Sequence, residues 1–238
     1  MVPMKRVLFL LGAVLCVSSV QGAQEDLLGK AVRAHGGPAK YARIETVSYR
    51  FQEIFFSTHG PVELRGRRFF KLHDGKPLRA REELDSPSGP VVSVIVSTAG
   101  RRGDGVESRS AHLARSALWP FLPLAVQEAG SPVSYEGSVY FLGKLTRKLT
   151  VETPDGPFTL FLDTGAFHAA GLAWTDASGT RQVEFDPPVP VKNSCSVPMR
   201  WTVYGPDGRP ERAVFLEDIS FNGYVPEDIF IQPGEASP

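Results

Sequence analysis

A tight turn between two alternating segments constrains the fold of this chain more than any other sequence feature. Across residues 143–163, Leu145, Leu149 and Val151 share one parity, and lysines and threonines occupy the other. This two-residue period predicts strands with one face on a core and the other toward water. Residues 153–156 read Thr-Pro-Asp-Gly, in which proline presets φ, aspartate bonds the backbone and glycine accepts a left-handed conformation. The segment therefore predicts a β-hairpin.

The same turn chemistry returns at residues 205–208, where Gly-Pro-Asp-Gly separates two further segments of strand character. Two such hairpins in one half of a chain indicate an antiparallel sheet. Alternation and β-branched runs predict strands over residues 46–56, 62–72, 79–84, 91–98, 135–153, 158–163, 167–176, 180–185, 197–204 and 212–221.

Two segments have helical rather than strand character. Residues 25–35 place apolar side chains at helical spacing, with acids first and bases later, and Gly36-Gly37 ends the pattern. Residues 108–128 interrupt the strands with an apolar stretch that prolines break at positions 120 and 123. An apolar helix-loop inside a β chain needs a surface to cover, and the inner face of a curved sheet is the natural one.

The first 23 residues have the pattern of a cleavable secretion signal. Basic residues precede an uninterrupted apolar run over residues 7–17, which is shorter than the about 20 residues that cross a bilayer. Small residues at Gly22 and Ala23 then offer a cleavage site. We expect an exported protein with one domain over residues 24–234 and a loose tail over residues 235–238. An uncleaved anchor is the alternative.

Charge and motif content argue against several classes of function. The 26 basic residues balance 26 acidic ones, so the chain lacks the basic excess typical of nucleic-acid-binding proteins. After signal removal Cys195 is the only cysteine, so no internal disulfide can form. The five histidines lack metal-ligand spacing, and no nucleophile-elbow, zinc-protease, phosphate-loop or C-x-x-C motif occurs. We predict no cofactor, no metal and no enzymatic activity.

One motif points to a different class of function. Residues 160–166 read Leu-Phe-Leu-Asp-Thr-Gly-Ala, which fits the active-site pattern of aspartic proteases. That chemistry needs two aspartates sharing a proton, and no second Asp-Thr-Gly or Asp-Ser-Gly is present. A homodimeric peptidase using Asp163 from each subunit is the alternative function. Asp-Thr-Gly is also an ordinary turn after a strand, which is the interpretation we favour.

A basic cluster lies in the second predicted strand. It consists of Arg65, Arg67, Arg68 and Lys71. We interpret it as an exposed strand face. The functional alternative is contact with the anionic head groups of a membrane surface.

The carboxyl-terminal part of the chain resembles a known superfamily. Residues 197–201 read Val-Pro-Met-Arg-Trp, residues 216–222 end a last strand in Asn222, and residues 225–233 close with Val-Pro-Glu-Asp-Ile-Phe-Ile-Gln-Pro. Together with an amino-terminal helix and a meander carrying an apolar insert, these segments resemble the periplasmic lipoprotein carriers. Relatives of that superfamily include the lipoprotein localisation carriers and the mycobacterial lipid-carrying lipoproteins.

The resemblance implies an α+β fold in which a strongly curved antiparallel β-sheet forms an incomplete, or half, barrel. The amino-terminal helix and an inserted helix-loop lid would cover its concave face, and the interior would hold acyl chains of a lipid or lipidated protein. The implied lining residues are Tyr49, Phe51, Phe55, Phe69, Phe70, Leu149, Val151, Leu160, Leu162 and Trp174. The implied lid residues are Leu113, Leu118, Trp119, Phe121, Leu122 and Leu124. An envelope interaction module with a filled core is a further alternative, and the oligomeric state stays open.

Overall fold

The computed structural model describes residues 27–73, 76–96, 122–128, 130–153, 156–192 and 194–231. The predicted signal segment, the predicted tail and the lid residues Leu113, Leu118, Trp119 and Phe121 lie outside these ranges. The predicted single-domain boundaries therefore remain a prediction.

Strands form most of the described chain, in agreement with the alternation in the sequence. Helix α1 covers residues 27–34, α2 is Pro38–Tyr41, α3 is Leu122–Glu128, and Glu227–Phe230 is a 3₁₀ helix. The strands are β1 Thr46–Ser57, β2 Gly60–His73, β3 Lys76–Leu84, β4 Val91–Val96, β5 Val133–Phe141, β6 Lys144–Val151, β7 Phe158–Asp163, β8 Ala169–Asp176, β9 Gly179–Phe185, β10 Val189–Pro190, β11 Ser196–Val197, β12 Arg200–Tyr204 and β13 Pro210–Phe221.

Eleven of these strands form one strongly curved antiparallel sheet in the order β4-β3-β2-β1-β13-β12-β9-β8-β7-β6-β5. Strands β4 and β5 are its two edges, so the sheet is open and not closed on itself. Strands β10 and β11 pair separately as a two-stranded ribbon. The predicted curved antiparallel sheet with few helices is confirmed.

Both predicted hairpin turns are present at their predicted positions. Gly156 donates to the carbonyl of Thr153 at 3.0 Å and has a φ of 110°. Gly208 donates to the carbonyl of Gly205 at 2.9 Å and has a φ of 75°. A side chain at these two glycines would be strained, which is why the sequence places glycine there.

The core lies on the concave face of the sheet. Strand alternation directs every second side chain there, so one continuous apolar cluster crosses the sheet. From the strands it includes Val47, Tyr49, Phe51, Phe70, Leu72, Leu149, Val151, Leu160, Leu162, Leu172, Val183, Phe185, Trp201, Val203, Val214 and Leu216.

The pattern of β6 differs from the prediction at its first residues. Leu145 was expected on the core face, but it is 47% exposed, whereas Thr146 is 1% exposed. Leu145 pairs with the exposed Tyr140 at the end of the sheet, beyond the apolar cluster. Thr146 lies on the opposite face and donates its hydroxyl to the carbonyl of Val139. At the start of β6, the exposure of a side chain therefore depends on how far along the strand it lies as well as on which face of the sheet it occupies.

Helix α1 ends as the sequence predicts. Gly37, with a φ of 82°, donates its N–H to the carbonyl of Val32 at 2.9 Å and so closes the last turn. Helix α3 begins at Leu122 despite Pro123, because a proline in the first turn lacks only an N–H that would have no partner within the helix. Its Val126 is buried in the concave cluster.

Candidate ligand-binding face

The concave face brings together most of the predicted lining residues. They are Tyr49, Phe51, Phe70, Leu149, Val151, Leu160 and Leu162, each 0–4% exposed. Trp174 and the lid residue Leu122 are partly buried against the same cluster. Strand register explains this grouping, since Leu149 lies opposite Leu160 and Val151 lies opposite Phe158 on adjacent strands.

Two predicted lining residues lie elsewhere. Phe69 occupies the outward parity of β2, opposite Ser48 and Arg81, and is therefore on the face away from Phe70. Phe55 has inward parity but lies near the hairpin end of β1, outside the apolar cluster. We leave both out of the candidate site.

Helical side chains cover part of this face. Leu27, Ala31 and Val32 of α1 are in the cluster, as is Val126 of α3. These contacts join two separate parts of the chain to one apolar surface. Burying each such side chain stabilises the fold by roughly 1.5–3 kcal/mol for the larger aliphatic and aromatic groups.

Helix α1 is fixed to the sheet by His35. Its Nε2 accepts the backbone N–H of Ala169 at 3.2 Å, and its Nδ1 lies 3.1 Å from the carbonyl of Ser196, to which it donates. Accepting at one nitrogen and donating at the other requires the neutral imidazole. Burial lowers the pKa of His35 to about 4, against the hydrogen bond to Ser196, and the positive field of His168 adds to the lowering.

A buried charge cluster, which we call the Arg68 cluster, lies on the concave face among the apolar side chains. Arg68 donates from Nε to Glu82 at 2.7 Å and from Nη2 to Glu53 at 2.9 Å, and all three side chains are 4–7% exposed. Its guanidinium carbon lies 4.0 Å from the centroid of the Phe51 ring. The pKa of Arg68 is raised, because the neighbouring Tyr49 phenol and the two carboxylates outweigh burial, which would lower it.

The prediction that Arg68 belongs to an exposed basic strand face is wrong. Arg65 and Arg67 are exposed on the outward face of β2, whereas Arg68 has the inward parity of Phe70 and is 4% exposed. Parity within β2 was the signal that could have separated them. Glu53 and Glu82, whose charges offset the cost of burying Arg68, come from other strands. No local sequence pattern therefore predicts the cluster.

Tyr49 lies directly opposite Arg68 in the register of β1 and β2 and is 4% exposed. Among the residues that the structure describes, neither its hydroxyl nor Arg68 Nη1 has a hydrogen-bond partner outside the Tyr49–Arg68 pair. The pKa of Tyr49 is raised by burial, with Arg68 acting in the opposite direction. Tyr49 is therefore a neutral phenol with a free donor on the concave face.

Asp163 of the protease-like motif forms a turn. Its Oδ1 accepts the backbone N–H groups of Ala166 at 2.6 Å and Gly165 at 2.9 Å. The hydrogen bond from Ala166, followed by that from Gly165, lowers the pKa of Asp163 in spite of partial burial. This arrangement stabilises the ionised carboxylate, which differs from the shared proton that aspartic proteases require.

Other chemistry-bearing groups have structural surroundings. Cys195 is buried against Gly36, and burial raises the pKa of its thiol. Within the described ranges, no three histidine, cysteine, aspartate or glutamate side chains are grouped closely enough to hold a metal ion. In the same ranges, every helix is too short or too polar to cross a bilayer.

Comparison with known proteins gives likenesses in structure alone. No protein-family profile matches the chain, and no curated protein sequence matches it. A domain described as an outer membrane lipoprotein-sorting protein from Vibrio parahaemolyticus superimposes with a TM-score of 0.55 at 11% identity, over 88% of this chain and 96% of that one. A LolA superfamily protein from Nitrosomonas europaea gives a TM-score of 0.57 at 10% identity, over 88% and 97%.

A DUF1329 family protein from Desulfovibrio piger gives a TM-score of 0.56 at 10% identity, over 87% of this chain and 97% of that one. At these identities the likeness establishes the fold and not the activity. It extends over nearly the whole of each solved structure, so it is not confined to a shared hairpin or motif. The chain therefore has the fold of the lipoprotein-carrier superfamily.

Proposed function

We propose that this protein is an exported, non-enzymatic carrier or binding protein for a lipid, a lipidated protein or another apolar ligand of the cell envelope. The observation that carries the proposal is the continuous apolar surface on the concave face of an open sheet. A protein that removes an acyl chain from water gains about 0.8 kcal/mol for each buried methylene, so such a surface can hold a chain without directional contacts.

The comparisons support the proposal at the level of fold. One likeness is to a domain described as sorting outer membrane lipoproteins. The secretion signal predicted from residues 1–23 would bring this chain to the envelope. We infer cleavage after Ala23, one domain over residues 24–234 and a periplasmic location. The intact mass of protein recovered from the periplasm tests the cleavage site directly.

The decisive experiment is native mass spectrometry of the protein purified from its own envelope without detergent. We expect adducts with the masses of acyl lipids, which organic solvent removes and which reappear when the extracted lipid is added back. A second protein exported by the same route and purified in parallel controls for carry-over of membrane lipid.

A ligand-free protein that also fails to bind added acyl lipids would contradict the proposal and favour an interaction module with a filled core. The peptidase alternative has a separate test. Proteolysis of unfolded casein by the purified protein, abolished by Asp163→Asn, would establish it. We expect no such activity, because the Asp163 carboxylate already accepts two backbone N–H groups.

A further inference from the structure

Two hydrogen-bond donors face the concave apolar surface side by side. Tyr49 and Arg68 are direct partners in the β1–β2 register, and each is 4% exposed. In the part of the chain that the structure describes, the Tyr49 hydroxyl and Arg68 Nη1 are both buried, and neither has a partner outside the pair, so the Tyr49 O–H lacks an acceptor. A buried donor without an acceptor is unfavourable, so such a pair marks a place where an acceptor oxygen would be stabilised.

The surroundings of this pair are apolar. Tyr49 contacts Phe70, with ring centroids 5.8 Å apart, and the Arg68 guanidinium covers Phe51. All three aromatic rings belong to the cluster that forms the proposed ligand surface. A ligand that reaches the two donors would therefore also lie against hydrocarbon.

The charges nearby determine which acceptor fits. Arg68 is already paired with the carboxylates of Glu53 and Glu82, which alone leave a net charge of −1. Burial lowers the pKa of Arg212, and the charges of Glu53, Arg68 and Glu211 also act on it, so Arg212 supplies a second cation beside the cluster. A second anion would have to be buried beside two carboxylates, which is costly, whereas a neutral carbonyl oxygen adds no charge.

We propose that Tyr49 and Arg68 together recognise a neutral carbonyl oxygen, the ester or amide group that joins an acyl chain to its head group. This inference rests on the proposed function. It names the group of the ligand that the protein recognises through hydrogen bonds. It makes the protein selective for esterified or amide-linked acyl chains over free fatty acids and over ether-linked chains.

The test compares three probes that carry the same sixteen-carbon chain: 1-monopalmitoylglycerol, 1-O-hexadecylglycerol and palmitate. The first two differ at the linkage, where the ether lacks the carbonyl. Dissociation constants are measured with delipidated protein below the micelle concentration, by intrinsic tryptophan fluorescence, because Trp174 and Trp201 contact the concave cluster. A neutral hydrogen bond contributes about a fivefold change in affinity.

We expect the wild type to bind the ester about fivefold more tightly than the ether, and palmitate more weakly than the ester. Tyr49→Phe removes one of the two donors and should lower the ester-to-ether ratio by about twofold or more, while the Arg68 donor remains. Tyr135→Phe is the matched control, because Tyr135 packs against the same cluster from edge strand β5, and it should keep the fivefold ratio.

Equal binding of ester and ether by the wild type would overturn this inference while leaving the carrier function in place. That comparison needs no variant, so it holds even if Tyr49→Phe folds poorly. An unchanged ratio in a folded Tyr49→Phe variant would overturn it as well. Failure of all three probes to bind the wild type would instead count against the proposed function itself.

Discussion

The side-chain oxygen of Asn222 accepts the backbone N–H of Glu45 at 2.7 Å, which joins the residue after β13 to the residue before β1. The same amide donates from Nδ2 to the carbonyl of Arg43 at 2.7 Å, and the Asn222 backbone donates to Thr46 at 2.9 Å. One residue after β13 therefore holds the segment that leads into β1. The residue has a φ of 55°, a conformation that asparagine tolerates better than most residues.

Replacing Asn222 with alanine should lower the free energy of unfolding by about 1–2 kcal/mol. The variant loses the side-chain hydrogen bonds to Glu45, Thr46 and Arg43 at a water-accessible site and places an alanine in a left-handed conformation. Asn222→Asp keeps the acceptor and loses the donor to Arg43, so a smaller loss is expected. Urea unfolding at pH 7 checks both, and an Asn222→Ala variant as stable as the wild type would contradict the assigned role.

Arg68→Met should destabilise the fold by about 3–5 kcal/mol at pH 7. The substitution keeps an unbranched side chain but leaves the buried carboxylates of Glu53 and Glu82 without their cation. Adding Glu53→Gln and Glu82→Gln to that variant should recover part of the loss, because the buried charges are then removed. Arg67→Met, on the exposed face of the same strand, is the control and should change stability by less than about 0.5 kcal/mol. Equal effects at the two arginines would show that the buried ion pairs are absent in solution.

Stability should fall as the pH is lowered from about 6.5 to about 4 because of His35. Its pKa is about 4 in the folded protein, against an ordinary 6.5, so in this window the unfolded chain binds more protons than the folded one. The contribution is fully present above pH 6.5 and decreases by up to roughly 3 kcal/mol by pH 4.

The measurement is the difference in unfolding free energy between wild type and His35→Gln at pH 7 and at pH 4.5. Glutamine offers one acceptor and one donor but does not titrate, so the difference should shrink at the lower pH. His59→Gln, which replaces an exposed imidazole in the turn between β1 and β2, is the matched control. A wild-type advantage that is constant across this range would refute the assignment.

Gly171→Ala should destabilise the protein by about 1–3 kcal/mol. A Cβ at this position of β8 would lie 2.3 Å from Cε1 of Phe141 and 2.4 Å from the carbonyl oxygen of Val183. The Phe141 ring also stacks on Phe161 with centroids 3.9 Å apart, so it cannot move without losing that contact. Gly165→Ala, where the nearest atom is 3.5 Å away, is the control. Thermal unfolding of both variants gives the comparison, and a neutral Gly171→Ala would mean that the ring lies elsewhere.

Periodicity and turn chemistry were sufficient to predict the strands, because a half-buried strand has to alternate apolar and polar side chains wherever it packs. The same reasoning predicted the end of α1, since Gly36-Gly37 is a local signal that needs no knowledge of the rest of the chain. Most of the residues that the resemblance implied as lining lie together on the concave face, but their role as a ligand site stays a prediction. The order of the strands did not follow from the sequence pattern, because the pairing of β1 with β13 joins residues that are far apart in sequence.

The Arg68 cluster could not be predicted for a related reason. Arginine on an apolar strand face is read as exposed unless its partners are known, and these partners are on β1 and β3. The irregular pairing of β5 with β6 between Tyr135 and Ser138 is a second feature that the sequence pattern could not predict. It moves Val139 to the outward face although the spacing from Tyr135 would place both on one side.

The position of β13 has a consequence for the order in which the molecule can be made. Removing β13 from the sheet order leaves β1–β4 as one ribbon and β5–β9 with β12 as another, with no strand pairing between them. Since β13 is the last of the described strands to leave the ribosome, the two ribbons cannot be joined before it has emerged. An incomplete chain therefore keeps the edges of β1 and β12 unpaired. Those edges can pair with other chains until β13 has been made and has docked between them.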